Sequence, residues 1–144
     1  MLGGAFYFQH VEGLQPCPLC VAQRWAHGAS LVLGLMAFAA GRGRLAVWLL
    51  AATGLAFLAG AGIAGYHVGV EQHWIDSAFC GSPDLLADTV EELKALLWET
   101  EVVRCDEIPW SLLGISMAGY NFIISLALAV LALVGAGKAW KALA

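Results

Sequence analysis

Residues 45–68 read LAVWLLAATGLAFLAGAGIAGYHV, an apolar run without a formal charge. A helix needs about 20 such residues to cross the hydrocarbon core of a bilayer. Two other apolar runs, residues 21–40 and 109–137, have a comparable length, and Pro109 is suited to the first turn of a helix. The sequence therefore predicts three membrane-spanning helices.

The composition of the whole chain points to the same class of protein. Of its 144 residues, 60% are hydrophobic and 12% are charged, whereas a soluble domain is about 45–50% apolar and about 25% charged. A soluble fold of this length could not bury so much apolar surface, and the chain is too short for a large transporter. We therefore expect one all-α integral membrane domain. No basic patch typical of nucleic-acid binding occurs, so nucleic acid is not an expected partner.

The first 20 residues do not fit a complete spanning helix. Residues 2–8 are apolar but too short to cross a bilayer, and no basic segment precedes them as in a signal peptide. We expect residues 1–20 to hold the end of a further helix, whose beginning is absent from the chain, and the first outer loop. The expected architecture is a four-helix bundle with its first helix truncated. A short interfacial or re-entrant segment is the alternative.

Charged residues set the expected orientation in the membrane. The loop of residues 69–108 carries 10 acidic and 2 basic residues, which gives it a formal charge of −8. Lys and Arg prefer the cytoplasmic side, and they occur in the connection 41–44 and in the C-terminal tail, at Arg42, Arg44, Lys138 and Lys141. The C-terminus is therefore predicted to be cytoplasmic, and the long loop lies on the opposite side together with residues 12–20.

All four cysteines, Cys17, Cys20, Cys80 and Cys105, fall on the outer side. An oxidising compartment favours disulfides over metal sites, and the four thiols can pair in three ways. A zinc site built from four cysteines usually has two close Cys-x-x-Cys motifs, whereas Cys80 and Cys105 are 25 positions apart. Covalent haem attachment requires a histidine directly after the second cysteine, where Val21 stands. No metal is expected.

The Cys17–Cys20 pair has the spacing of a redox-active dithiol. A disulfide across two residues closes a small ring and adds little stability, so it is a poor structural crosslink. At the start of a helix, the backbone N–H groups and the helix dipole favour the thiolate. Arg24 lies one turn beyond Cys20, where its guanidinium could stabilise that thiolate or donate to a cofactor carbonyl. The alternatives are purely structural disulfides and an Arg24 that extends to the lipid headgroups.

The segment Cys17-Pro-Leu-Cys20-Val-Ala-Gln-Arg24 resembles the Cys-x-x-Cys-x-x-x-Arg signature of the bacterial disulfide bond formation protein B (DsbB) family. A second outer cysteine pair, in a long loop before the last span, is similar to that family's pattern. Two further segments look like the family's approach to its first cysteine pair and the start of its last helix, namely Phe8-Gln9-His10-Val11 and Pro109-Trp110-Ser-Leu-Leu-Gly114. The family has four spans, and this chain lacks most of the first.

The resemblance implies a multi-pass protein of the bacterial inner membrane with periplasmic cysteines. Such a protein reoxidises a periplasmic, thioredoxin-like dithiol protein (DsbA) and passes the electrons to a membrane quinone, either ubiquinone or menaquinone. By position, the loop pair Cys80–Cys105 would meet DsbA, and Cys80 would form the mixed disulfide. Cys17 would exchange with the loop pair, and Cys20 would face the quinone. A general and a dedicated partner both fit.

Two cofactor-binding residues are implied by the same resemblance. Arg24 would polarise the quinone, and His67, 13 residues before Cys80, is placed like a family histidine near the quinone. A helix-end histidine that is hydrogen-bonded at the membrane interface is the alternative for His67. Glu71 is expected to be a solvated loop acid, although it could relay protons.

The long loop is predicted to contain a short amphipathic helix on the outer membrane surface. Ser82-Pro83-Asp84 is typical of a helix start. Apolar residues then recur every three or four positions, at Leu86, Val90, Leu93 and Leu97. This helix could hold the loop cysteines near Cys17.

Two other classes of function stay open. One is a vitamin K epoxide reductase-like enzyme, which also combines membrane helices, a quinone and two cysteine pairs. In that class the helix-borne Cys-x-x-Cys follows the loop cysteines, whereas here it precedes them. The other is a non-enzymatic membrane subunit held together by disulfides.

Overall fold

Three long helices form a bundle in the described part of the chain. A computed structural model of the chain describes residues 1–76, 89–91 and 104–143. In these ranges the elements are α1 (Leu2–His10), α2 (Pro18–Ala39), α3 (Arg44–Glu71), β1 (Ser111–Leu112), β2 (Ile115–Ser116) and α4 (Met117–Leu143). Helix α3 is central and packs along both α2 and α4.

Helix α2 begins at a cysteine and ends at a glycine turn. Cys17 is the N-cap residue, and its Sγ accepts the backbone N–H of Cys20 at 3.3 Å. Pro18 occupies the first turn, where a backbone N–H has no helical acceptor. At the other end, Gly41 has a φ of 74°, which side chains disfavour. The chain therefore reverses within the predicted connection, and α3 starts at Arg44.

The helices expose apolar residues and bury polar ones, the reverse of a soluble bundle. Among the described residues, α3 and α4 are long and apolar enough to cross a membrane. Helix α2 has 22 residues and buries Gln23, His27 and Ser30. It exposes large apolar side chains, at Trp25, Leu31, Val32, Leu35, Met36 and Phe38. An all-α membrane domain has this pattern because lipid surrounds its outer surface.

Small residues let α3 approach α4 closely. A Cβ atom built on Gly54 would lie 2.7 Å from Cγ of Leu133. A Cβ atom on Gly65 would lie 3.3 Å from the ring of Phe122. Because lipid tails are as apolar as the helices, close packing of this kind is a main source of helix association in membranes.

The last helix begins later than predicted. Helix α4 starts at Met117 and not at Pro109, because residues 111–116 first form a two-stranded antiparallel hairpin. The turn residues Leu113 and Gly114 have φ values of 52° and 78°. Two consecutive positive φ values are typical of a tight hairpin turn, and they interrupt any helix that started upstream.

Ser116, which was not predicted as a helix start, caps the N-terminus of α4. Its Oγ accepts the backbone N–H of Gly119 at 3.1 Å, which is the bond that an N-cap serine makes. Tyr120 then donates its hydroxyl hydrogen back to the carbonyl of Leu112 at 3.1 Å. The hairpin is therefore fixed to the first turn of α4.

Two predicted features fall wholly or mostly outside the described residues. These are Cys80 and the amphipathic helix predicted between residues 82 and 97, of which only residues 89–91 are described. Residues 1–20, predicted to be a helix end and a loop, contain α1 and an irregular segment that leads into Cys17.

Candidate redox site

The two thiols of the Cys17–Cys20 motif face each other at the start of α2. Both are free, and their Sγ atoms are 2.9 Å apart. Cys17 is buried and Cys20 is half-buried. A disulfide bond is about 2.05 Å long, so a small movement of the side chains would close one between these two residues.

The two thiols differ in acidity. The S–H of Cys17 donates to the sulfur of Cys20, and this hydrogen bond lowers the pKa of Cys20 to about 7 against the opposing effect of burial. The charge of Arg24 also lowers the pKa of Cys20. The same hydrogen bond, together with burial, raises the pKa of Cys17. Cys20, which precedes the predicted span, is therefore the thiolate of the pair near neutral pH.

Cys105 packs against this dithiol. It is fully buried and shares one cluster with Cys17, Leu19 and Val70. Cys105 is disulfide-bonded, and its predicted partner Cys80 lies outside the described residues. The structure thus brings a disulfide sulfur next to the helix dithiol, as thiol exchange between two pairs requires.

His67 of α3 also lies beside the dithiol. Its Nε2 is 3.6 Å from Sγ of Cys17, and its Nδ1 is 2.9 Å from Nε2 of Gln23. The backbone of Cys105 hydrogen-bonds the same ring. The imidazole is thus enclosed by protein, with 4% of the residue exposed. Its role toward a quinone stays a prediction.

Glu71, the last residue of α3, is buried and not solvated as expected. It is 6% exposed, and its Oε2 accepts the hydroxyl hydrogen of Ser116. Its Oε1 is 3.8 Å from Nε2 of His67. The expectation was wrong because α3 continues beyond residue 68, the predicted end of the span, and the hairpin places Ser116 against its last turn.

A chain of hydrogen bonds, here called the polar chain, runs from His67 into the bundle. Gln23 contacts His67, and its Oε1 accepts from Nδ2 of Asn121. Ser125 donates to Oδ1 of Asn121 at 3.0 Å and lies 3.4 Å from Nε2 of His27. The ring of His27 donates from Nδ1 to the carbonyl of Gln23. Buried polar groups inside a membrane are costly and mark function by default.

Asn121 and Ser125 were not among the predicted site residues. These two residues are four positions apart on α4, and Gln23 and His27 are four positions apart on α2. All four side chains are buried. Matching i, i+4 pairs of polar residues on two apolar helices were the available signal. Which helices face each other could only be learned from the packing.

Arg24 is held by α1. Its Nη1 donates to Oε1 of Gln9, and its Nη2 donates to the carbonyl of Ala5 at 3.3 Å. The guanidinium carbon lies 5.4 Å from the centre of the Phe6 ring. The side chain therefore ties α1 to α2. Its action on a cofactor stays a prediction.

A cavity of about 450 Å³ opens beside the dithiol. Cys17, Cys20, Arg24 and His67 line one part of it, and its wall is mostly apolar. The apolar part includes Leu2, Phe8, Leu14, Trp110, Met117 and Ile124. Cavities of this size and character are typical of small-molecule sites. All the predicted site residues that the structure describes, except Cys105, thus line one cavity.

Among the described residues, Cys17, Cys20 and His67 also present ligand atoms that lie within 4.8 Å of one another. Two thiols and an imidazole suit zinc. The cysteine spacing alone predicts no metal site, and His67 joins the set only because α3 packs on α2.

Comparison with known proteins identifies the family. A profile described as "Disulfide bond formation protein DsbB" matches residues 1–135. The chain belongs to the disulfide bond formation protein B family. Three relatives of that name come from Ralstonia nicotianae (36% identical; 90% of this chain and 81% of the relative), Xylella fastidiosa (38%; 96% and 83%) and Aromatoleum aromaticum (32%; 93% and 82%). No solved structure matches the chain.

Membership of the DsbB family confirms the resemblance that the Cys17–Arg24 segment indicated. It also confirms the expected fold class, an all-α integral membrane protein. This DsbB-family protein therefore acts in disulfide bond formation at a membrane.

Proposed function

We propose that this DsbB-family protein is a quinone-dependent protein-disulfide oxidoreductase that reoxidises a periplasmic DsbA-like dithiol protein. The observation that carries the proposal is the shared cavity, onto which the dithiol of Cys17 and Cys20 opens together with Arg24. We further propose that the protein lies in the bacterial inner membrane, with its cysteines periplasmic and its C-terminus cytoplasmic. The charge distribution supports that orientation.

The exchange steps conserve bonds and electrons. The dithiol of the soluble partner attacks the loop disulfide Cys80–Cys105, first at Cys80. One S–S bond forms in the partner, and one breaks in the loop. The loop dithiol then reduces a Cys17–Cys20 disulfide in the same manner. The burial of Cys105 against Cys17 supports this second step.

A membrane oxidant is needed because the exchange alone runs uphill. Ordinary structural disulfides have potentials below about −300 mV, whereas DsbA-type proteins lie near −120 mV, in a relay already known for coupling them to quinone. Oxidising such a partner with an ordinary disulfide would cost roughly 8 kcal/mol, at about 1.4 kcal/mol per 30 mV. A bound quinone accepts two electrons and two protons and so supplies the driving force.

The residues of this chain fit such a group. The apolar cavity wall suits a ring and an isoprenoid tail, and Arg24 provides donors beside Cys20. Cys20 supplies the thiolate, because its pKa is lowered to about 7. His67 lies next to Cys17, where it can accept or return a thiol proton. The quinone is ubiquinone or menaquinone.

The test is reoxidation of reduced DsbA by the purified protein with added quinone. Turnover should require the quinone and should fall more in Arg24→Met than in Arg24→Lys, because lysine keeps the positive charge. A single exchange at the loop disulfide, measured without quinone, should be nearly unchanged in both variants. A dithiol inert to both DsbA and quinone would instead favour the structural-disulfide alternative.

A further inference from the structure

The dithiol and His67 together form a ligand set for a thiophilic cation. The Sγ atoms of Cys17 and Cys20 and a ring nitrogen of His67 lie within 4.8 Å of one another. Thiolate sulfur and imidazole nitrogen are preferred zinc ligands. The two sulfurs come from one turn of α2, and the nitrogen comes from α3, so helix packing builds the set.

We propose that the reduced protein binds one Zn²⁺ through Cys17, Cys20 and His67, and that the bound ion blocks the dithiol. Binding itself does not depend on the oxidase reaction, whereas the block rests on the proposed function. The ion is an inhibitor of the reduced state and not a resident cofactor.

The distances fit zinc with one small adjustment. Zn–S bonds of about 2.3 Å and Zn–N bonds of about 2.05 Å place S and N about 3.6 Å apart in a tetrahedral site. The observed separation between Sγ of Cys17 and Nε2 of His67 is 3.6 Å. Two zinc-bound sulfurs lie about 3.8 Å apart, whereas the thiols here are 2.9 Å apart. The half-buried side chain of Cys20 would rotate to widen this gap.

The surroundings hold the ligands as zinc sites require. The second nitrogen of a ligating histidine usually donates to a fixed acceptor, and Nδ1 of His67 contacts the Gln23 amide at 2.9 Å. A half-turn of the Gln23 and Asn121 amides presents an oxygen to Nδ1–H and keeps their mutual hydrogen bond, because each amide carries both a donor and an acceptor. The backbone N–H of Cys20 supports the Cys17 thiolate at 3.3 Å.

Charge and access are also suitable. Two thiolates cancel the charge of Zn²⁺, so the buried complex carries no net charge, which limits its desolvation cost. Glu71 lies 3.8 Å from Nε2 of His67 but is held by Ser116, so the fourth position is left to water from the cavity. Cys17, Cys20, His67 and Glu71 all line the cavity, through which an ion can enter.

Binding releases the thiol proton of Cys17, and that of Cys20 where it is still protonated, and transfers no electrons. While the ion holds both sulfurs, they cannot pair with each other or with Cys105. An oxidised Cys17–Cys20 pair offers no thiolate and therefore binds no ion. The site is thus gated by the redox state of the dithiol, and a chelator reverses the block.

The binding test uses the full chain with Cys80→Ser and Cys105→Ser, so that the dithiol carries the only thiols. The reduced protein is titrated with Cd²⁺, and the cadmium–thiolate charge-transfer absorption is recorded in the ultraviolet. One Cd²⁺ per chain should bind, Zn²⁺ should displace it, and oxidation of the dithiol should abolish the signal. Absence of the signal in the reduced protein would overturn the proposal.

Histidine variants test the third ligand. His67→Ala should weaken binding at least about tenfold, and His67→Cys should restore it with a stronger charge-transfer band. His73→Asn is the matched control, since His73 is exposed and its φ of 57° is one that asparagine tolerates. Equal affinity in His67→Ala and the parent protein would show that His67 is not a ligand.

The block is measured separately, on the protein with all its cysteines. Zn²⁺ should stop reoxidation of DsbA, and a chelator should restore it. Binding without inhibition would overturn the block and leave the site intact. An absence of oxidase activity even with chelator would refute the proposed function, and the cadmium titration would still decide the site.

Discussion

The two ends of the bundle are held together by different kinds of side-chain contact. At the cysteine end, defined by Cys17, His67 and Asn121, buried polar side chains hydrogen-bond across α2, α3 and α4. At the tryptophan end, defined by Trp48 and Trp140, aromatic rings pack 5.8 Å apart and apolar residues line a shallow groove. Arg44 lies 6.0 Å from the Trp140 ring.

This comparison indicates that the contacts that hold the helices together are distinct from the residues that carry out the chemistry. Small residues such as Gly54 set the spacing of α3 and α4, and they need no polar partner. The polar chain costs desolvation and is retained where the thiols are. We therefore expect substitutions at the cysteine end to change redox behaviour, and substitutions between the ends to change stability alone.

The largest effect is expected for the loop disulfide. Cys105→Ser should accumulate a mixed disulfide between Cys80 and DsbA, because the resolving thiol is gone, and turnover should fall to background. The lone Cys80 thiol is mixed with oxidised DsbA, whose disulfide it can attack, and non-reducing gel electrophoresis checks for the mixed disulfide. Trapping by Cys80→Ser in place of Cys105→Ser would reverse the two roles.

The polar chain should respond strongly to loss of one partner. Asn121→Leu leaves Oε1 of Gln23 buried without its donor, which should cost about 1–3 kcal/mol of unfolding free energy. The double variant Gln23→Leu/Asn121→Leu removes both partners and should recover most of that stability, while quinone-dependent turnover stays low. Thermal unfolding in detergent and turnover per folded molecule are the measurements. Full turnover in the double variant would mean that the chain is only structural.

The acidity of Cys20 should depend on the hydrogen bond from Cys17. In protein with Cys80→Ser and Cys105→Ser, alkylation of Cys20 should accelerate as the pH rises through about 7. Cys17→Ala removes the donor, and a return of the pKa to about 8.5 would slow alkylation at pH 7 roughly 15-fold. Cys17→Ser keeps an O–H donor and should stay closer to the parent. A Cys17→Ala profile identical to that of the parent would assign the lowered pKa to Arg24 and the helix.

The smallest effect on redox activity is expected when a small residue is replaced in the α3–α4 contact, between the cysteine end and the tryptophan end. Gly54→Ala places a Cβ 2.7 Å from Leu133 and should destabilise the protein by about 1–3 kcal/mol. Gly62→Ala, where no atom lies within 4 Å of the new Cβ, is the matched control and should leave the melting temperature unchanged or slightly raised. Turnover per folded molecule should be normal in both. Altered thiol exchange in Gly54→Ala would contradict the expectation that substitutions between the two ends change stability alone.

Apolar run length, charge asymmetry and the Cys17–Arg24 motif were enough to predict a membrane bundle, the family and the dithiol. These are local properties, because a bilayer fixes the length of a spanning helix and the motif sits on one helical turn. The start of α4 was predicted wrongly. The hairpin turn at Leu113 and Gly114 lies inside an apolar stretch, where periodicity does not distinguish it from a helix.

The remaining features of the site depend on how α3 packs against α2 and α4. It places His67 at Cys17, buries Glu71 under Ser116 and joins Gln23 to Asn121. The sequence separations of these pairs are 50, 45 and 98 residues. No local pattern encodes such contacts, because a polar residue on an apolar helix indicates a face that is buried but not the helix or the residue that it meets.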